Sequence, residues 1–193
     1  LNQLKNSKMN AGGFVKDNLV SLIAKIGEKI TIRRSSFFDN KKGLNFFYVH
    51  SASEKNIGKI ISIVTLDGIT KGKNEDLGNK LAMHIAASCP LAINSDDIDK
   101  DILEREKAIY KKQAEESGKD EKIMEKMVEG KVRRFLEEVS FVSQQFVKNP
   151  DQKIQELLDE RGAAIVMMSR FKVGDGIEVE KKDFASEVAE QLK

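Results

Sequence analysis

Few residues of this 193-residue chain have the types and spacing to do chemistry. They are two histidines, one cysteine, some paired carboxylates and two short glycine clusters. A hydrolytic metal site would need a pattern such as HExxH, and a structural zinc site would need several Cys or His ligands. His50 sits alone in LNFFYVH and His84 alone in LAMHIAAS, while Cys89 is the only thiol. Gly72-Lys73 lacks the preceding glycine and following Ser or Thr of a phosphate-binding loop. Gly174-Asp175-Gly176 reads as a tight turn, because no helix opens directly behind it. Asp96-Asp97 fits a helix N-cap region and Glu137-Glu138 a solvated helix face. No nucleophile–base pair is visible, so the expectation is a protein without catalysis, cofactor or metal.

The elements around these residues point to α+β architecture. Apolar residues make up 40% of the chain, sufficient for a core, and charged residues 33%. Thirty-three Lys and Arg face 31 Asp and Glu, a balance that argues against a dedicated nucleic-acid binder. No run approaches the ~20 apolar residues that cross a membrane, and the N-terminus LNQLKNSKMN has no apolar signal core. Cys89 lies in the apolar run AASCPLAI and is expected to be a buried, inert thiol, which suits a reducing, cytoplasmic setting.

Residues 1–13 are polar and end in Gly12-Gly13, so they read as a flexible lead. Val15, Leu19, Leu22, Ile23 and Ile26 form a helical stripe that Gly27 stops. Alternation predicts a strand over 29–33, and β-branched and aromatic content predicts strands over 44–50 and 59–66. Three such strands with short connections suggest an antiparallel meander with 59–66 at its centre. Leu77, Leu81 and Ile85 return to helical spacing up to Pro90.

From about 98 to 142 the pattern is long, helical and charged, with ten acidic and eleven basic residues between Asp99 and Arg134. Ser117-Gly118-Lys119 is its break, which makes two antiparallel helices in a coiled-coil-like hairpin. Gly130 falls within the returning helix as an interruption. A short helix over 151–159 follows, then a strand over 163–171, a turn at 173–177 and a helix capped by Asp183. Strands grouped apart from helices indicate two layers. The expected division is a lead over 1–13, a core subdomain over 14–72 and a second over 73–193 carrying the hairpin.

Taken in order, several segments resemble the bacterial elongation factor Ts family. Lys25 to Arg34 (KIGEKITIRR) is similar to the family's IGENI-x-IRR, and Ala82 to Pro90 (AMHIAASCP) to AMHVAASxP. Glu125 to Gly130 (EKMVEG) with Glu138-Val139-Ser140 resembles the EKMVEG and EVS signature, and Gln144 to Lys148 (QQFVK) resembles QPFVK. Arg170 to Glu178 (RFKVGDGIE) is similar to RFEVGEGIE, with Asp183-Phe184-Ala185 and Glu187-Val188 behind it. The likeness covers residues 15 to 190 in the right order.

The resemblance implies two related α+β subdomains with a helical hairpin inserted in the second. It also implies nucleotide exchange: binding to GDP-bound elongation factor Tu, perturbing its Mg²⁺ and phosphate loop, and releasing GDP. Carried over position by position, the partner-facing residues are Ile57, Gly58, His84, Phe146, Val147 and Lys148. Gln145 replaces the family's proline. The family's small N-terminal helical module and its TDFV-like motif are not found, and Phe14 is not equivalent to that motif's phenylalanine. The expectation is therefore a core-plus-hairpin portion that binds the GTPase with weakened exchange. Two other readings carry over: an RNA- or ribosome-associated protein using the hairpin, and a self-associating module forming a homodimer.

Overall fold

In the computed structural model, residues 1–69, 72 and 75–177 are described. The chain divides into two compact units, Leu1–Asp39 and Asn40–Lys193.

In the first unit, α1 (Asn2–Lys5) and a closed loop precede α2 (Val15–Ile26). Hydrogen bonds fold the lead back on itself. Lys8 bridges Phe14, Met9 N–H donates to Gly13 O at 2.9 Å, and Val15 N–H donates to Ser7 O at 3.0 Å. The Asn18 side-chain amide closes the loop by donating to Gly12 O at 2.9 Å and to Phe14 O at 3.0 Å. Gly27 ends α2 in the left-handed region with φ of 80°, as its position predicts. The strand expected over 29–33 does not form, since residues 27–39 carry neither helix nor strand. Alternation specifies a face, whereas a strand also needs a neighbour to receive its hydrogen bonds.

The second unit is α+β. Its main sheet has the order β1-β2-β5, built from β1 (Leu44–Glu54), β2 (Ile57–Asp67) and β5 (Ala164–Lys172). β2 is central, as its continuous apolar run predicts, but its second neighbour is β5 and not 29–33. Both pairings are antiparallel, with Phe46 opposite Val64 and Val64 opposite Met168. One face of the sheet packs on α3 (Glu75–Ser88), whose Leu77, Leu81 and Ile85 are all buried. Close approach is possible because Gly78 has no side chain: a Cβ there would collide with the Phe46 ring. Ser62 reinforces the contact by donating its hydroxyl to Ala82 O at 2.5 Å.

The hairpin consists of α4 (Lys100–Glu115) and α5 (Glu121–Val139). Asp99 caps α4 through Asp101 N–H at 2.8 Å, and Asp120 caps α5 through Ile123 N–H at 3.1 Å. Lys131 ties the arms together by reaching Gln113 at 2.6 Å and lying over the Tyr110 ring. Gly130 does not interrupt α5, which runs straight through it. At the hairpin's foot, outgoing and returning chains are laced together: Leu91 N–H donates to Val139 O, and Phe141 N–H to Ala92 O, both at 2.9 Å.

After this foot the chain forms a small ribbon, β3 (Gln145–Phe146) with β4 (Asn149–Lys153), then α6 (Ile154–Arg161). The helix expected from 151 thus begins three residues later, because 149–153 pairs with 145–146 first. Glu156 accepts Lys153 N–H at 3.1 Å at the helix start. Ile154, Leu157, Leu158, Phe141 and Phe146 join the α3–sheet core. The turn expected at 173–177 is present, with Ile177 N–H on Gly174 O at 3.2 Å. The helix expected at Asp183 lies outside the described residues.

Candidate functional site

The short β3–β4 ribbon reverses direction at Val147 and Lys148, which sit between the paired residues Phe146 and Asn149. Such a two-residue turn usually needs Gly, Asn or Asp to hold its shape. Here the shape is held from beneath. Phe146 is only 6% exposed and belongs to the core, whereas Val147 is 41% exposed and Lys148 lies on the surface. The ring of His84, on α3, sits below the turn and is fully buried.

Both ring nitrogens of His84 are engaged. Val147 N–H donates to Nδ1 at 3.2 Å, and Nε2 faces Gln144 Oε1 at 2.8 Å. A backbone N–H can only donate, so Nδ1 carries the lone pair and the neutral ring carries its proton on Nε2. Phe141 meets the ring edge-on with centroids 5.4 Å apart, and Phe146 lies tilted at 6.1 Å. Burial lowers the His84 pKa, opposed by the weaker effect of the Gln144 hydrogen bond. The arrangement is that of a neutral structural imidazole, poorly suited to proton shuttling.

Of the six residues singled out from the sequence, His84, Phe146 and Val147 meet directly, with Lys148 next in the chain. Ile57 and Gly58 open β2 on the sheet, paired with Glu54 and Ala52 of β1. Ile57 is 56% exposed. Gly58 is required by packing: a Cβ there would lie 2.5 Å from Val49 Cγ1 and 2.7 Å from His50 O. Sequence reasoning missed two partners of His84, Gln144 and Phe141. Gln144 stands inside the QQFVK likeness, but nothing local marks it, because its partner lies 60 residues away.

Beside Gln144 runs an open polar groove of about 440 Å³, bordered by Arg134, Glu137, Glu138 and Lys153. Cys89 is exposed, contrary to the apolar context of its sequence. It follows the last residue of α3 with φ of 49°, and that turn of the backbone carries the thiol outward. Among the described residues no group of three or more His, Cys, Asp or Glu could hold a metal ion. No helix among them is long and apolar enough to cross a membrane.

Fold and site together define an α+β protein in which a helical hairpin leads into a surface turn seated on a buried neutral histidine. A family described as Elongation factor TS matches residues 1–175. The chain is 40% identical over 190 residues to Elongation factor Ts of Caulobacter vibrioides, covering 95% of this chain and 61% of that protein. The corresponding protein of Gluconobacter oxydans is 41% identical over 190 residues, covering 98% and 63%. That of Agrobacterium fabrum is 43% identical over 189 residues, covering 94% and 61%. This chain belongs to the elongation factor Ts family, and it spans about three-fifths of the length of these relatives.

Proposed function

We propose that this chain acts in translation elongation by binding elongation factor Tu, as the docking part of a guanine-nucleotide exchange factor. The observation that carries the reading is the anchored β3–β4 turn, which offers Val147 and Lys148 to solvent while His84 and Phe146 hold it from below. Preorganisation of this kind reduces the ordering cost of binding. Ile57 supplies a second exposed apolar position, and Gly58 lets the strand beneath it approach β1. Exchange then follows from linkage: a partner that prefers the nucleotide-free GTPase lowers its nucleotide affinity by the coupling free energy.

No TDFV-like motif occurs in these 193 residues. A polypeptide of this sequence is therefore expected to bind elongation factor Tu yet release GDP slowly. Stopped-flow release of a fluorescent GDP measures the rate, and a pull-down measures association. Absence of association would end the partner reading, whereas full-rate release would end the claim about the motif.

A self-associating module is the second reading, favoured by the sheet face turned away from α3. Phe47 and Met167 stand exposed there, on either side of the β2 residues Ile63 and Thr65. A second copy of this chain would cover that face. Sedimentation of the chain and of Phe47→Asn tests it, since a monomer at all concentrations excludes the homodimer.

A further inference from the structure

Gln144 is only 8% exposed, and its side chain makes two hydrogen bonds of opposite polarity. Its Oε1 faces His84 Nε2 at 2.8 Å, and its Nε2 donates to Glu138 O at 2.7 Å. Its backbone is held as well, with Gln144 N–H on Phe141 O at 3.2 Å and Ile154 N–H on Gln144 O at 3.0 Å. The amide cannot turn over. Reversal would set NH₂ against the protonated Nε2 of His84 and oxygen against the Glu138 carbonyl.

The donors therefore run in one direction. Val147 N–H gives to His84 Nδ1, His84 Nε2–H gives to Gln144 Oε1, and the Gln144 amide gives to the Glu138 carbonyl in the last turn of α5. This line crosses from the tip of the β3–β4 turn, through α3, to the returning arm of the hairpin. A second tautomer, with the proton on Nδ1, would point N–H at N–H and release the turn.

We infer that Gln144 is a positioning residue: it selects the Nε2–H tautomer of His84 and thereby fixes the Val147 turn to the end of α5. The inference rests on the partner reading only for its consequence in binding. The hydrogen-bond selection itself is a property of the free chain. The charged groups bordering Gln144 are Arg134, Glu137 and Glu138 of α5 and Lys153 of β4. Arg134 is already bonded to Glu138 at 2.8 Å.

Two variants separate tautomer selection from simple packing. Gln144→Met keeps volume and removes both strong hydrogen bonds. Gln144→Glu keeps an acceptor for Nε2–H while losing the donor to the Glu138 carbonyl, and as a carboxylate it favours the doubly protonated ring as pH falls. Long-range ¹H–¹⁵N spectra of the His84 ring and hydrogen exchange of the Val147 amide are the readouts. In the native chain Nδ1 should appear unprotonated and the Val147 amide protected. Gln144→Met should mix the tautomers and speed Val147 exchange about tenfold. Gln144→Glu should retain tautomer and protection at about pH 8 and lose both at about pH 6.

An unchanged ring tautomer and unchanged Val147 exchange in Gln144→Met would overturn the inference. Binding to elongation factor Tu is measured in parallel on the same variants. Loss of Val147 protection accompanied by weaker binding supports both claims. Loss of protection without any change in binding upholds the positioning role and overturns the turn as the docking contact, whereas no binding by the native chain overturns the partner reading itself.

Discussion

The backbone N–H of Val147 donates to Nδ1 of His84 at 3.2 Å, so an exposed turn and a buried helix residue 63 positions earlier share one proton-acceptor site. That site works only while the imidazole is neutral. Burial, the larger influence, lowers the His84 pKa below its ordinary 6.5. The sign follows from linkage: the unfolded chain binds this proton more readily than the folded one. Stability from the neutral ring is present in full above about pH 6.5 and is lost as pH falls through the lower folded value. Denaturant unfolding should show a steeper loss between about pH 7 and pH 5 in the native chain than in His84→Gln. Parallel pH profiles for the two proteins would rule out the effect.

Two helix glycines should respond to alanine with opposite signs. In an open helix interior, Gly→Ala is worth about 1 kcal/mol of stabilisation. A Cβ added at Gly130 in α5 would meet nothing within 4 Å, so Gly130→Ala should raise stability by roughly that amount. At Gly78 the same Cβ would strike the ring atoms of Phe46, and overpacking of this kind costs about 1–3 kcal/mol. Thermal or urea unfolding of both variants decides the matter; a stabilised Gly78→Ala protein would show that the α3–β1 contact yields easily.

Ser140, at the end of α5, is wholly buried, and its hydroxyl has no hydrogen-bond partner among the described residues. Burying an unpaired hydroxyl costs about 1–3 kcal/mol. Ser140→Ala removes the group and should raise stability by about 1 kcal/mol. A destabilisation of similar size, seen in chemical denaturation, would mean that the hydroxyl has a bonding role.

Much of the architecture could be read from spacing, because a buried face repeats. Leu77, Leu81 and Ile85 announce α3, and the apolar run at 59–66 announces the central strand; both are determined by local pattern meeting one core. The hairpin was legible from one break, Ser117-Gly118-Lys119, in an otherwise continuous helical stretch. Pairing was less legible. Lys29 to Arg33 alternates as a strand should, yet nothing in the alternation says which neighbour would receive it. The β3–β4 ribbon was hidden for another reason: Val147-Lys148 lacks the usual turn residues, and Pro150 argues against a strand. Within the candidate site, resemblance pointed to His84 and Val147. Gln144 could not be found that way, since its importance lies in two hydrogen bonds to distant parts of the chain.

Adjacent residues of the turn should separate stability from binding. Phe146 is buried against His84 and the core, so Phe146→Ala removes a large ring from a packed site and should cost about 3–5 kcal/mol. Val147 keeps its side chain largely in solvent and contributes its backbone to the anchor, so Val147→Ala should change stability by less than about 0.5 kcal/mol. If the turn docks elongation factor Tu, Val147→Ala should still weaken association, by about tenfold for a well-packed contact. Phe146→Leu, which keeps much of the buried volume, should fall between the two in stability and retain most of the binding. Calorimetric unfolding alongside titration with the GTPase makes the comparison. A Val147→Ala protein that binds as tightly as the native chain would move the contact surface away from this turn, toward Ile57 and the sheet edge.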